Sequence, residues 1–192
     1  MDYREQMNLD MYKVDVRAKL CSYDLSGEYG IGYTAQGDIF YFDKEDYETI
    51  KDYPWYKAVK TDYMYAHVRI NGKRPFVLMH RLIMNAPKGL FVDHIGGNET
   101  RNDNRRCNLR LVTPAQNIWN MKPPRDCEKG VRFHYGKWES VIRANKNTIY
   151  LGTFNTYEEA AKARQDAEEK YHGEYSYKRS QEVSEKWRVP YV

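Results

Sequence analysis

The amino-acid sequence predicts an α+β fold in which small antiparallel sheets outnumber helices. Short runs of β-branched and aromatic residues recur from 32 to 154, and glycine or asparagine turns separate them. The longest helical pattern runs from 156 to 171. The 192 residues, 41% hydrophobic and 30% charged, have room for one to three small domains of a soluble globular protein. The sequence therefore predicts several small units.

The first 78 residues are predicted to form a β-rich segment. A strand over 39–42 consists of large apolar residues. The Asn71-Gly72 pair is a hairpin turn signal between strands over 63–70 and 74–78. A further strand is predicted over 12–16. The expected role of this segment is to pack beneath the unit that follows it.

One stretch carries the residues that favour a catalytic site. Asp93 and His94 are adjacent, and Asn108 and Asn117 follow them. A carboxylate beside an imidazole, with carboxamides near, can hold one hard cation and activate one water. Neighbours on a regular strand point to opposite faces, so both side chains serve one site only if the strand ends or bends there. Gly96-Gly97 allows that bend.

Local patterns place these residues on a strand, a loop, a returning strand and a helix. The returning strand is predicted over 109–112. Thr113, Pro114 and Gln116 fit an N-cap, a first-turn proline and the glutamine of a capping box, so a helix is predicted from Pro114. This order can bring Asn117, on that helix, to the aspartate and histidine.

The stretch resembles the HNH homing endonucleases, whose active site is a ββα-metal unit. The resemblance implies that Asp93 is the first metal ligand and that His94 is the general base. It implies that Asn108, in an Asn-Leu-Arg signature, braces the loop and orients the histidine, and that Asn117 is the second metal ligand. The implied cofactor is one divalent ion, Mg²⁺, with Mn²⁺ as the alternative.

The loop departs from the family pattern in two places. Gly96 stands where family members often carry a polar residue. The tract over 99–102 is about two residues longer than usual, which a hairpin tip tolerates because loop closure entropy grows slowly with length. Whether Asn104 rather than Asn108 braces this loop stays open at the level of sequence.

A short helix is predicted to begin at His80 and to stop before Pro87, because the residue before a proline disfavours helical angles. In the family a His-Arg-Leu sequence of this kind precedes the catalytic strand. Packing is the expected role of His80, and a contribution to the site is the alternative. Arg81 is expected to pair with a phosphate or a carboxylate. This helix opens the predicted nuclease unit, over 79–120.

The C-terminal part of the chain has a second pattern. Strands are predicted over 130–135, 138–144 and 148–154, and a capping box at Thr156 and Glu159 then opens a helix. Alanines along one stripe of that helix can bring it close against one face of the sheet. The other face of the sheet is left free.

The borders of this module follow from composition. A proline pair at 123 and 124 predicts an extended linker over 121–129. The module itself covers 130–173. The last residues, 174–192, are expected to form a polar tail that is either disordered or packed locally.

The module resembles the AP2 DNA-binding domain. The resemblance is carried by Gly130-Val131-Arg132, Ile142-Arg143, Leu151-Gly152-Thr153-Phe154 and Glu158-Glu159-Ala160-Ala161. In that family the sheet enters the major groove of DNA. The resemblance implies DNA contacts by Arg132, Lys137, Trp138, Arg143 and Tyr150. The alternatives are core packing for the two aromatic residues and a solvated face for the two arginines.

Composition adds three expectations. A net charge of +4, together with 18 tyrosines and 4 tryptophans, supplies phosphate-binding and planar groups on the same surfaces. No apolar run approaches the roughly 18 residues of a membrane span, and the polar start is unlike a signal peptide, so a cytoplasmic protein is expected. Cys21, Cys107 and Cys127 indicate neither a disulfide framework nor a four-ligand zinc site.

These patterns together predict a site-recognising DNA endonuclease of the homing type. It is expected to bind double-stranded DNA without a small-molecule cofactor, in a bacterial or phage-infected cell, and to nick as a monomer because each chain has one site. The alternatives are a DNA-binding regulatory protein with a degenerate, inactive HNH motif, and an RNA-directed or structure-specific nuclease. DNA contact by Arg69, Lys73 or Arg74 is the alternative role of the N-terminal segment.

Overall fold

The computed structural model describes residues 2–7, 20–70, 72–123, 128–144 and 146–187. Within these residues the protein is mixed α and β, with small antiparallel sheets and few helices, as predicted. It divides into two compact units, one made of Met1–Ala115 with Val183–Val192 and the other of Gln116–Glu182. The strand predicted over 12–16 and the linker residues 124–127 lie outside the described residues. Among the described helices, none combines the length and the apolar character that a membrane crossing requires.

The first unit is built from two three-stranded sheets and a hairpin. Its strands are β1 Ser22–Asp24, β2 Gly30–Tyr33, β3 Ile39–Phe42, β4 Tyr56–Lys57, β5 Met64–His67, β6 Phe76–Leu78, β7 Phe91–His94 and β8 Leu109–Val112. The sheet orders are β1-β2-β3 and β4-β5-β6, and β7 pairs with β8. The helices are α1 Tyr3–Met7, α2 Tyr47–Ile50 and α3 Met79–Ile83. Helix α4, Pro114–Trp119, begins at the proline, as predicted.

One buried cluster joins the N-terminal segment to the β7–β8 hairpin. Phe40 and Phe42 of β3 are fully buried in it, and Val92 and Leu109 of the hairpin belong to the same cluster. Burial of each large side chain of this kind contributes about 1.5–3 kcal/mol. The aromatic strand predicted over 39–42 is β3 itself. The hairpin that carries the predicted catalytic residues is therefore held by the packing of the N-terminal segment.

Two glycines of β2 allow the phenylalanines of β3 to pack. A Cβ atom on Gly30 would overlap the ring of Phe42, and one on Gly32 would overlap the ring of Phe40. These residues are cross-strand partners in the antiparallel ladder. Because only hydrogen occupies the position of the missing side chain, the two rings can lie directly across the neighbouring strand.

The second unit has the predicted order of three strands and a helix. Strands β9 Val131–His134, β10 Lys137–Ala144 and β11 Asn147–Phe154 form an antiparallel sheet in the order β11-β10-β9. Helix α5, Tyr157–Tyr171, begins with the predicted capping box. Ala160, Ala161 and Ala167 are buried on this helix, and Ile142 and Ala144 are buried on β10. The predicted polar tail is helical over α6, Tyr177–Ser184, and a 3-10 turn follows over Glu185–Trp187.

Candidate active site

Asp93 and His94 are the last two residues of β7. Across the hairpin they pair with Arg110 and Leu109 of β8, respectively. Both side chains are buried, with 8% of Asp93 and 3% of His94 exposed. Adjacent residues of a strand point to opposite faces, and here the aspartate meets Arg110, whereas the histidine meets a set of aromatic rings. The structure thus places the two side chains on opposite sides of the strand, and the bend that the sequence predicted does not turn them to a common set of neighbours.

The imidazole of His94 lies in a cluster of rings. The ring centroid of Tyr63 is 5.6 Å away, and that of His80, from α3, is 5.1 Å away. Tyr63 also contacts His80, at 4.9 Å between centroids. The guanidinium of Arg101 lies 4.6 Å from the centroid of Tyr63 and donates to the Thr61 carbonyl at 3.0 Å. His80 thus packs beside the predicted base, as expected, and its contribution to the site stays a prediction.

Burial sets the protonation of both histidines. The pKa of His94 is lowered to about 3, mainly by burial; a side-chain hydrogen bond with Asn104 opposes the shift, and the charge of Arg101 contributes to it. Burial also lowers the pKa of His80 well below 6.5, and the nearby His94 adds to that effect. At neutral pH both rings are neutral. His94 therefore has a lone pair to accept a proton, but solvent does not reach it in this conformation.

Asn108 is the residue that braces the loop between β7 and β8. Its carboxamide oxygen accepts from the Gly96 amide at 3.0 Å and from the Thr100 hydroxyl at 3.4 Å. Its amide group donates to the carbonyls of Thr100 and Asp103, at 3.2 Å and 2.8 Å. One buried side chain thus ties the start of the loop to its end. The geometry is that of the brace implied by the family resemblance.

Asn104 contacts β3 and the predicted base. It is fully buried, and its backbone amide donates to the carbonyl of Tyr41 at 2.8 Å. Its side chain is the hydrogen-bonding partner that opposes the lowering of the His94 pKa by burial. Sequence reasoning treated Asn104 as a turn former or as an alternative brace, and missed its contact with the predicted base. The two asparagines thus have different contacts. Asn104 faces the histidine, and Asn108 closes the loop.

The longer tract of the loop is attached to the N-terminal sheet. The Tyr41 amide donates to the carbonyl of Asn102 at 2.9 Å, and the side chain of Asn102 donates to the carbonyl of Ile39 at 3.2 Å. Asp103 forms a parallel bridge with Tyr41 and a two-point ion pair with Arg105, with N···O distances of 2.8 Å and 2.7 Å. The additional residues therefore extend β3 by main-chain pairing instead of forming a free hairpin tip.

A cluster of carboxylates anchors the end of the loop. Oxygens of Asp43, Glu45 and Asp46 lie within 4.8 Å of one another, a spacing that a metal ion could use. The guanidinium of Arg106 contacts Asp46 at 2.7 Å and Glu45 at 3.3 Å, and the Arg106 amide donates to Asp43 at 2.7 Å. One arginine contacts two of the three carboxylates, so the cluster holds the end of the loop and keeps a net negative charge. Asp93 stays the metal ligand that the family resemblance implies.

Asp93 forms an ion pair with the residue opposite to it. Its Oδ2 atom accepts from Nε of Arg110 at 2.9 Å and lies 2.8 Å from Nη2. The side chains are 9% and 14% exposed, so water screens the pair only weakly. A carboxylate is a hard oxygen donor that suits Mg²⁺ or Mn²⁺, and its chemistry fits the implied ion. Sequence reasoning quoted Arg110 within a signature but did not assign it to the site.

Two further predicted residues have clear positions. Asn117 is half-buried on α4 and belongs to the second compact unit, so its role as a metal ligand stays a prediction. Arg81 donates to the carbonyls of Leu90 and Ala86, at 2.9 Å and 3.3 Å. The expected partner of Arg81, a phosphate or a carboxylate, is therefore replaced by backbone carbonyls that hold the chain between α3 and β7.

The sheet of the second unit has one face away from α5. The cross-strand pairs Glu139–Arg132, Val141–Tyr150 and Arg143–Thr148 alternate with positions buried by the helix. Arg132, Lys137, Arg143 and Tyr150 are exposed. These four predicted DNA contacts share the open face. Trp138 lies on the opposite face of β10. Its ring is 5.1 Å from that of Tyr157 on α5, so packing is its structural role.

Glu139 contacts two basic residues on this open face. Its carboxylate accepts from Arg132 at 2.8 Å and lies 3.2 Å from Nδ1 of His134. The contact with Arg132 lowers the pKa of Glu139, and the contact with His134 lowers it further. Sequence reasoning did not single out Glu139, because its partners are set by the register of β9 against β10.

Two known proteins are similar in sequence to this chain, and one of them is named as an HNH endonuclease. An uncharacterized HNH endonuclease of Acanthamoeba polyphaga mimivirus is 28% identical over 148 residues, 73% of this chain and 74% of that protein. Protein 3.8 of Escherichia phage T7 is 44% identical over 46 residues, 24% of this chain. The chain spans 36% of the length of that phage protein. No protein-family model and no solved structure matches the chain.

Proposed function

We propose that this protein is a metal-dependent DNA endonuclease of the HNH type. The observation that carries the proposal is the adjacent Asp93 and His94 at the end of a hairpin strand, with Asn108 bracing the loop behind them. The similarity to a viral protein named as an HNH endonuclease supports it. The proposed reaction is hydrolysis of one phosphodiester bond.

In this proposal His94 takes the proton from the attacking water. Its depressed pKa keeps the imidazole neutral at physiological pH, and the hydrogen bond with Asn104 favours the protonated product of that step. Asp93 would hold a divalent ion. When bound, such an ion stabilises negative charge on the leaving 3′ oxygen.

The burial of His94 adds a requirement to this mechanism. A base that is 3% exposed cannot meet a phosphate-bound water until its cover moves. The cover consists of Tyr63 and Arg101, and the arginine is the cationic part of it. We propose that an approaching phosphate draws Arg101 away from Tyr63, which gives water access to the base.

DNA recognition is assigned in this proposal to the open face of the second unit. Arg132, Lys137 and Arg143 supply positive charge there, and Tyr150 supplies an exposed ring. Arginine can bind a guanine edge or a phosphate with two donors. A recognition surface on one unit and one catalytic site on the other favour a homing-type enzyme that selects a site and nicks one strand as a monomer.

The test is conversion of supercoiled plasmid to the nicked form in Mg²⁺ or Mn²⁺. Wild-type protein should nick the plasmid, and His94→Ala should abolish nicking while leaving DNA affinity nearly unchanged. His67→Ala is the matched control because His67 is exposed on β5 of the same unit. Equal nicking by wild type and His94→Ala, with the control also active, contradicts the assignment of the base.

A second candidate function is a DNA-binding regulator with an inactive HNH site. Two observations favour it: the base is closed from solvent, and Arg110 neutralises the proposed metal ligand. Metal binding separates the candidates. An endonuclease should bind Mn²⁺ through Asp93 and lose that binding in Asp93→Asn, whereas a regulator should bind DNA without binding Mn²⁺ at this position.

A further inference from the structure

Arg110 is the charged partner of Asp93 while no cation is bound. Two of its nitrogens converge on a single carboxylate oxygen, Oδ2, and both side chains are largely buried. Removing one partner of such a pair leaves a charge without compensation in a poorly solvated place. The ion pair therefore holds the carboxylate of Asp93 in position before a metal arrives.

Two arginines of the loop between β7 and β8 have structural partners. Arg105 is bound to Asp103 and lies 4.6 Å from the ring of Tyr29, and Arg106 is bound to the carboxylate cluster. Arg110 differs from them because its guanidinium contacts the residue proposed to bind the metal. Movement of Arg110 is thus coupled directly to the chemistry of the site.

A divalent cation on Asp93 would compete with the guanidinium for the same carboxylate. Two positive groups on one carboxylate repel each other, so ion binding weakens the hold of Arg110. Arginine has a rigid planar fork of donors that matches a phosphate. Its position on β8, directly across from Asp93, keeps the released guanidinium beside the reacting group.

We propose that Arg110 is an exchangeable phosphate-binding residue of the active site. It neutralises Asp93 in the metal-free protein and passes to the scissile phosphate when a cation and DNA bind. This inference rests on the proposed endonuclease function. It assigns to Arg110 both a competition with the metal and a contact with the substrate, and the two can be measured separately.

The first measurement is Mn²⁺ binding without DNA, by electron paramagnetic resonance of the free ion. Arg110→Gln should bind Mn²⁺ about threefold to tenfold more tightly than wild type, because the competing cation is removed. Arg69→Gln is the control, since it removes one exposed positive charge from the same unit. Unchanged or weaker binding by Arg110→Gln, in protein with wild-type circular dichroism, overturns the exchange.

The second measurement is single-turnover nicking of plasmid at saturating Mn²⁺. Arg110→Gln should be slower by about 100-fold, as for loss of one charge-stabilising donor, and Arg110→Lys should be intermediate because it keeps the charge without the fork. Wild-type rates in Arg110→Gln overturn the phosphate contact.

Two additional variants keep the tests interpretable. If Arg110→Gln does not fold, the double variant Asp93→Asn/Arg110→Gln removes the uncompensated charge and should recover folding. This double variant should show no Mn²⁺ binding. If it folds and still binds Mn²⁺, the competition between Mn²⁺ and Arg110 for Asp93 is overturned. If Asp93→Asn alone binds Mn²⁺ as wild type does, the proposed metal site fails independently of Arg110.

Discussion

The ring of Tyr63 lies against the imidazole of His94, and the guanidinium of Arg101 lies 4.6 Å from the centroid of the same tyrosine ring. The arginine contributes to the depressed pKa of His94 by its charge. Replacing it by an uncharged residue of similar length should therefore raise the pKa of His94. The measurement is an NMR titration of the protein with ¹⁵N-labelled histidine, comparing wild type with Arg101→Met.

Arg69→Met is the control for this titration, because it removes an exposed arginine of the same unit. We expect the His94 resonance to titrate at higher pH only in Arg101→Met. A pKa that is unchanged in Arg101→Met, or raised equally in both variants, would show that the charge of Arg101 does not act on the base.

The buried histidines should make the first unit unstable in mild acid. The folded-state pKa of His80 lies below its ordinary value of 6.5, so only the unfolded chain takes up this proton as pH falls below 6.5. Stability is therefore fully present above pH 6.5 and decreases with acidification, by about 1.4 kcal/mol per pH unit for each such group. His94, with a pKa of about 3, adds to the same decrease.

Urea unfolding at pH 7.5, 6 and 5 measures this dependence. His80→Phe keeps a ring against Tyr63 and removes one titrating group, so the free energy of unfolding should depend less steeply on pH. His67→Gln removes an exposed histidine and should keep the wild-type slope. The same slope in His80→Phe and wild type would rule out a buried, neutral His80.

Asn108 should contribute more to the free energy of unfolding than the other asparagines of the loop do. Its carboxamide is buried and makes four hydrogen bonds. Truncation leaves loop amides and carbonyls without partners, and we expect Asn108→Ala to cost about 2–4 kcal/mol of unfolding free energy. Asn98 is exposed in the same loop, and Asn98→Ala should stay within about 0.5 kcal/mol of wild type. Similar losses from both variants, measured in urea, would contradict a specific brace.

Sequence reasoning succeeded where structure is local. The capping box at Thr156 and Glu159, the helix that starts at Pro114 and the hairpin strands depend on neighbours a few residues apart. It missed contacts between distant segments. The Arg106–Asp46 pair spans 60 residues, and the Asn102–Ile39 contact spans 63. No local pattern marks either partner, so the attachment of the loop to β3 and to the carboxylate cluster had no signal in the sequence.

The divalent ion should bind at Asp93 and not at the carboxylate cluster that holds Arg106. Asp93→Asn is expected to abolish Mn²⁺-dependent nicking and to weaken Mn²⁺ binding at least about 100-fold, because a charged ligand is lost. Asp43→Asn removes a carboxylate of the cluster and should leave both properties unchanged. Loss of Mn²⁺ binding in Asp43→Asn, with binding intact in Asp93→Asn, would move the site to the cluster.

The open face of the second unit should carry DNA affinity. Arg143→Ala is expected to weaken binding by about 1–3 kcal/mol, with relaxed sequence preference if Arg143 contacts a base and a shallower salt dependence if it contacts a phosphate. Fluorescence anisotropy with a labelled duplex, repeated over a range of salt concentrations, distinguishes these two contacts. Lys162→Ala is the control, because Lys162 is exposed on α5 and paired with Asp166.

Glu139 provides an internal check on this surface. Glu139→Gln removes the negative charge that holds Arg132 and His134, so overall DNA affinity should rise while discrimination between duplexes falls. Trp138→Ala should instead lower the stability of the second unit, since its ring packs against Tyr157. If Lys162→Ala weakens binding as much as Arg143→Ala, or if Glu139→Gln leaves affinity unchanged, the recognition surface lies elsewhere on the unit.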